Sequence, residues 1–68
     1  MADNIYKVVQ VVGSSTVSIA DGVRNAVAKA SETLRNVEWV EVEKIRGHVV
    51  DGKLEHFQVE TKIGFRLE

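Results

Sequence analysis

The chain has 68 residues with no cysteine and no proline, and its nine basic and ten acidic residues leave a formal net charge of −1. Disulfides and thiolate metal sites are therefore excluded, no basic patch points to nucleic acid, and no run is long and apolar enough for a transmembrane helix. A domain this small buries only ~60% of its unfolded surface, and its two histidines, His48 and His56, are a poor basis for a structural metal, so self-association is the expected source of stability.

Residues 1–68 read as a single domain without linkers, repeats or low-complexity tracts. Met1-Ala2-Asp3-Asn4 lacks the charged and apolar regions of a signal peptide, so a soluble, cytoplasmic protein is expected.

Ile5 to Val12 is rich in β-branched residues and reads as a strand. Tyr6, Val8, Gln10 and Val12 fall on one face, and Lys7, Val9 and Val11 on the other. Apolar groups on both faces call for cover on both sides, which one short chain lacks. Gly13 to Thr16 breaks the strand, and Ser15 or Ser18 can cap the helix that follows.

From about Val17 to Arg35, Ile19, Val23, Ala26, Val27, Ala30 and Leu34 recur at helical spacing. A helix of this length spans ~27 Å. Gly22 costs about 1 kcal/mol against alanine there, which points to a close packing partner. Asn36 is the expected C-cap.

Val37 to Glu68 reads as one long hairpin turning at Asp51-Gly52, a dipeptide suited to the positive φ angles of a type I′ turn. A two-residue turn pairs Val50 with Lys53, Ile45 with Gln58, Glu43 with Glu60, Glu41 with Lys62 and Trp39 with Gly64. Phe57, Val59, Ile63 and Phe65 then share an apolar face with Val40 and Val42. Trp39, Glu41, Glu43 and Ile45 share the opposite face with Gln58, Glu60, Lys62, Gly64 and Arg66. Lys44, Arg46 and His48 fall on the nominally apolar side. The predicted fold is α+β, a two-layer β-α-β-β subunit with a three-stranded antiparallel sheet wrapped around one helix and the first strand beside the last.

The sheet face bearing Trp39 has no cover from its own chain. An indole opposite a glycine offers an open ring face to a flat aromatic ligand, for ~1–3 kcal/mol per stacked ring by analogy with nucleobases. The Gln58 amide, donor and acceptor together, suits the edge of a heterocycle. Six positions separate Gln58 from Gly64, ~20 Å along a strand, so a ligand touching both Gln58 and Trp39 draws them from different subunits unless the strand bulges or bends strongly.

Glu43 opposite Glu60 is an unfavourable pair that calls either for local slack or for a cation or basic group between them. Lys44, Arg46 and His48 could meet another subunit or an anionic group such as a phosphate, and Arg66, diagonal to Trp39, is a second anion candidate. Catalytic chemistry is thin, with no phosphate loop and no convergent Ser/His/Asp set.

These residues resemble the dodecin family of small bacterial and archaeal flavin-binding proteins. The likeness covers Tyr6 to Glu68 and rests on Val12-Gly13-Ser14-Ser15, Thr33-Leu34-Arg35, Trp39-Val40-Glu41-Val42, Ile45-Arg46-Gly47-His48, Asp51-Gly52, Phe57-Gln58-Val59 and the ending Gly64-Phe65-Arg66-Leu67-Glu68. It implies a hollow homododecamer in which paired flavins stack between two Trp39 residues, Gln58 bonds the isoalloxazine edge and Arg46 sits at the flavin. It also implies FMN or a riboflavin-type flavin as cofactor, coenzyme A as a possible second ligand, and a role in storing flavin and quenching its photochemistry without enzymatic turnover. Val40 departs from a frequent phenylalanine, Ser14 from a frequent threonine, and Gly22 is unusual in the helix. The competing readings are an oligomeric scaffold with Trp39 as interface anchor and, more remotely, a flavin-dependent reductase.

Overall fold

A computed structural model describes residues 3–68. Strand β1 (Ile5–Ser15), helix α1 (Ile19–Ser31), strand β2 (Val37–Val50) and strand β3 (Lys53–Leu67) follow in the expected order. The sheet runs β1-β3-β2 and is antiparallel throughout, so the first strand does lie beside the last. Among the described residues no helix is long and apolar enough to cross a membrane.

The helix is shorter than its apolar pattern suggests, with 13 residues, or ~20 Å. Ser18 is the cap: its backbone is extended and its hydroxyl accepts the Asp21 N–H at 3.0 Å. Ser15 supports the same turn by accepting the N–H groups of Val17 (2.9 Å) and Ser18 (3.3 Å) while donating to Asp21 Oδ2 (2.9 Å). Val17 therefore lies outside the helix, its N–H already engaged. At the other end Glu32 is the C-cap, and the chain tightens through N–H bonds from Glu32 to Lys29 and from Thr33 to Ala30. Asn36 is not the cap. It has φ 62° and turns the chain into β2, its carbonyl accepting the Arg66 N–H at 3.0 Å.

The face that α1 buries is made of its smallest residues, Gly22, Ala26 and Ala30. On the sheet below, Val59 and Ile63 are fully buried, Val59 packing against Gly22, and Thr61 is buried with its hydroxyl donating to the Val11 carbonyl at 2.7 Å. The close partner expected at Gly22 is Gly13: a Cβ added to Gly13 would fall on the Gly22 carbonyl oxygen, and one added to Gly22 would stand 3.2 Å from Val59 Cγ2. Ile19 stays on the margin at 39% exposure.

The turn is as expected, with φ 50° at Asp51 and 75° at Gly52, and Val50 pairs with Lys53. Three β-bulges then alter the register, the last of them at Glu38, the extra residue on β2 between Trp39–Gly64 and Val37–Phe65. Glu55 is the extra residue on β3, between the pairs Val49–Leu54 and His48–His56, and Glu43 is the extra residue on β2, between Lys44–Glu60 and Val42–Thr61. Between them every pair shifts by one, so Ile45 faces Val59 rather than Gln58, and Arg46 faces Gln58. Below Glu43 the shifts cancel, and Glu41–Lys62 and Trp39–Gly64 stand as expected.

A one-residue shift changes the face each side chain occupies. Ile45 therefore moves to the helix side, and Lys44, Arg46 and His48 move to the outer face with Trp39. The Glu43–Glu60 pair does not exist. Glu43 instead stands 3.3 Å from Lys62 Nζ, and Glu60 pairs with Arg46.

Candidate functional site

The outer face of the sheet carries two clusters. The first is aromatic and lies where β1, β3 and β2 run side by side. Register puts Trp39 opposite Gly64, Gly64 opposite Val8, and Arg66 opposite Tyr6. The indole lies across Gly64, where an added Cβ would fall among the ring atoms Cδ2, Cε2 and Cζ2. Glycine is required here by the close approach of the ring, not by backbone conformation.

Tyr6 meets the indole edge-on, with centroids 5.1 Å apart and planes at 62°, an arrangement that suits the ring quadrupoles. The indole N–H donates to Glu41 Oε1 at 3.2 Å, which orients the ring further. Trp39 is thus half-buried in one chain, held from three sides by Gly64, Tyr6 and Glu41. Arg66 stands nearby, its guanidinium 3.6 Å from Glu38, and it also lines a recess of about 660 Å³ with Asp3, Asn4, Ile5, Leu67 and Glu68.

The second cluster is polar. The Glu43 bulge sets Arg46 directly opposite Gln58 on the outer face, with Glu60 beside them. Arg46 donates a charge-assisted hydrogen bond to Glu60. That bond holds the Glu60 carboxyl below its ordinary value against a smaller opposing effect of desolvation, with the positive charges of Arg46 and Lys44 adding to the lowering. The cluster offers a planar donor fork, an amide and a carboxylate, which suits a ligand edge carrying both donors and acceptors.

Of the expected site residues, Arg46 and Gln58 come together, and Trp39 and Arg66 come together. The two pairs do not meet. Six positions of β3 separate Gly64 from Gln58, ~20 Å at strand rise, and the chain extends over 57 Å along its longest axis. One subunit does not bring Trp39 and Gln58 onto one compact ligand. Sequence reasoning missed Tyr6 as the partner of Trp39 and Glu60 as the partner of Arg46. The alternation in β1 does place Tyr6 on one face with Val8, but the helical crossover leaves the β1–β3 register unspecified. The Arg46–Glu60 pair was hidden by the bulge.

Between and beside the clusters this face is mixed, with Gln10, Ser14 and Lys62 alternating with apolar Val8 and Val12. Val8 is 45% and Val12 55% exposed, which meets the expectation that β1 lacks cover from its own chain.

The sequence model of the Dodecin family matches residues 5–68. This chain belongs to the dodecin family. The dodecin of Thermus thermophilus is 39% identical over 64 residues, covering 94% of this chain and 93% of that protein. The structure of the Streptomyces coelicolor dodecin superposes with a TM-score of 0.94 at 48% identity, covering 100% of this chain and 97% of that one. The Streptomyces davaonensis dodecin gives 0.94 at 40% identity, covering 98% of each chain. A calcium dodecin of Mycobacterium tuberculosis, described as calcium-chelating, shares the fold at a TM-score of 0.83 but only 19% identity, covering 94% of this chain and 91% of that one. Dodecins are known for binding flavins and for self-association, and in general they are not enzymes.

Proposed function

We propose that this chain stores and buffers flavin in the cytoplasm without turning over a substrate. FMN, or a riboflavin-type flavin, binds as stacked pairs between Trp39 residues of neighbouring subunits in a hollow homododecamer. The observation that carries this reading is the indole of Trp39 lying across Gly64 on a sheet face that its own chain leaves uncovered. One ring face rests on the sheet, and the other is available to a planar ligand. Gln58 and Arg46, opposite each other on the same face, supply the polar contacts to the flavin edge from a different subunit, because a single chain holds them too far from Trp39. Arg66 is the anion-binding group nearest Trp39. Coenzyme A is a second ligand to test at these basic groups.

An indole stacked on a flavin can give an electron to the excited ring, which is the physical basis proposed for quenching. The second reading makes Trp39 an interface anchor in a scaffold, and it draws on the exposed Val8 next to the indole and Val12 further along the same strand face. Trp39→Ala separates the two. Loss of FMN binding with the particle size unchanged by light scattering supports the flavin site, and loss of the assembly supports the anchor. Steady consumption of NAD(P)H with added FMN would contradict the absence of turnover.

A further inference from the structure

We propose that His48 and His56 form a cross-strand site for a divalent transition-metal ion of the kind imidazole favours, with zinc as the reference ion. The site lies near the hairpin tip and does not depend on flavin.

The two histidines are direct partners across β2 and β3. Their rings stack with centroids 4.9 Å apart and planes at 28°. Two bonds of ~2.0–2.1 Å to one ion bring ligand nitrogens to roughly 3 Å apart, so sharing an ion requires one ring to turn out of this stack. His48 is exposed, and the side chain of His56 is 26% exposed, so the pair is open to an ion.

A carboxylate already stands behind one ligand. His56 Nδ1 is 3.3 Å from Glu55 Oε1. Glu55 is the extra residue of the β3 bulge, and the bulge turns its side chain toward the adjacent histidine. Metal-bound imidazoles commonly turn their second ring nitrogen toward a carboxylate, and Glu55 is placed to serve His56 Nδ1 in that way, leaving Nε2 for the ion. The neighbouring cation is already engaged, because Arg46, two residues along β2, is bound to Glu60. Among the described residues no group of three or more His, Cys, Asp or Glu converges to hold a metal, so water completes the coordination and the ion exchanges readily. Imidazole pairs suit zinc and copper, not calcium or magnesium. A bound ion would join the two strands where both are exposed and only cross-strand pairing holds them.

The test uses the untagged full chain, stripped with chelator and titrated with zinc by calorimetry and thermal melting. About one zinc per chain and a raised melting temperature are expected. Both effects should be lost in His48→Gln and in His56→Gln, and Glu55→Gln should weaken binding about tenfold without abolishing it. Copper(II) bound to the unsubstituted chain should show imidazole nitrogen coupling in its paramagnetic resonance spectrum, a readout independent of how the variants fold. The proposal is overturned if the parent chain binds no zinc at millimolar concentration, if His48→Gln binds as tightly as the parent, or if the copper spectrum shows no nitrogen coupling.

Discussion

The aromatic and polar clusters occupy the same face of the same two strands, yet different devices hold them. At the aromatic end, Trp39 is positioned by what lies beneath and beside it: the missing side chain of Gly64, the edge of Tyr6 and the Glu41 carboxylate. At the polar end, Arg46 is positioned by an irregularity, the extra residue Glu43, which carries it from the helix side to the outer side. The first arrangement tolerates almost no added volume. The second depends on register and on one ion pair at the surface. A ligand platform is therefore set by packing, and its polar complement by a bulge.

The largest effect is expected where packing decides. Gly64→Ala drives a Cβ into the indole and displaces it, removing the stacking surface while Trp39 remains. With stacking at ~1–3 kcal/mol per ring, FMN affinity should fall roughly 5- to 150-fold, read by fluorescence titration with the fold checked by circular dichroism. Unchanged affinity would mean that the indole is not the platform.

Next comes the separation of the clusters. Chains carrying Trp39→Ala and chains carrying Gln58→Ala, unfolded together and reassembled as mixed particles, should regain a fraction of tight FMN sites that neither variant has alone. If one chain supplied both residues, mixing would restore none.

Arg46→Ala should weaken FMN by about fivefold, a loss of ~1 kcal/mol. Without the bulge Arg46 would face the helix side, and its removal would leave FMN affinity untouched, so this variant tests the bulge through its consequence.

This contrast also explains what the sequence could convey. The Asp51-Gly52 turn and the close approach at Gly22 were legible because each has a local signature. Trp39–Gly64 survived extrapolation from the turn only because the bulges at Glu55 and Glu43 offset one another. Between them the same extrapolation put Ile45 against Gln58 and sent Arg46 to the wrong face. A bulge has no fixed residue signature, although two like charges forced together by the simple register, Glu43 and Glu60, were a sign of slack at that point. The helix was overextended for a related reason. Val17 and Leu34 continue the apolar period, but serine hydroxyls take the first N–H groups and the tight turn after Ala30 ends the helix.

Smaller effects refine the polar end. Glu60→Gln frees the Arg46 guanidinium from its carboxylate, so preference for FMN over riboflavin should rise about two- to fivefold if Arg46 meets the phosphate. Competitive titration of the two flavins measures it, and an unchanged ratio would place the phosphate elsewhere.

The smallest effect is on pH dependence. The folded-state pKa of Glu60 is depressed by Arg46, so its stabilising contribution is complete above the ordinary carboxylate value and is lost as pH falls through the lowered one. The difference in melting temperature between the parent and Glu60→Gln should accordingly be widest near neutral pH and close in acid. A difference that widens in acid would reverse the assigned sign.

The most direct test is an FMN titration of the purified protein, followed by flavin fluorescence on particles sized by light scattering. The stacked-pair account predicts strong quenching that saturates near about one flavin per chain, on a particle of about twelve chains. A particle of that size that leaves FMN fluorescence unchanged would contradict the flavin role, and a monomer would contradict the shared site itself.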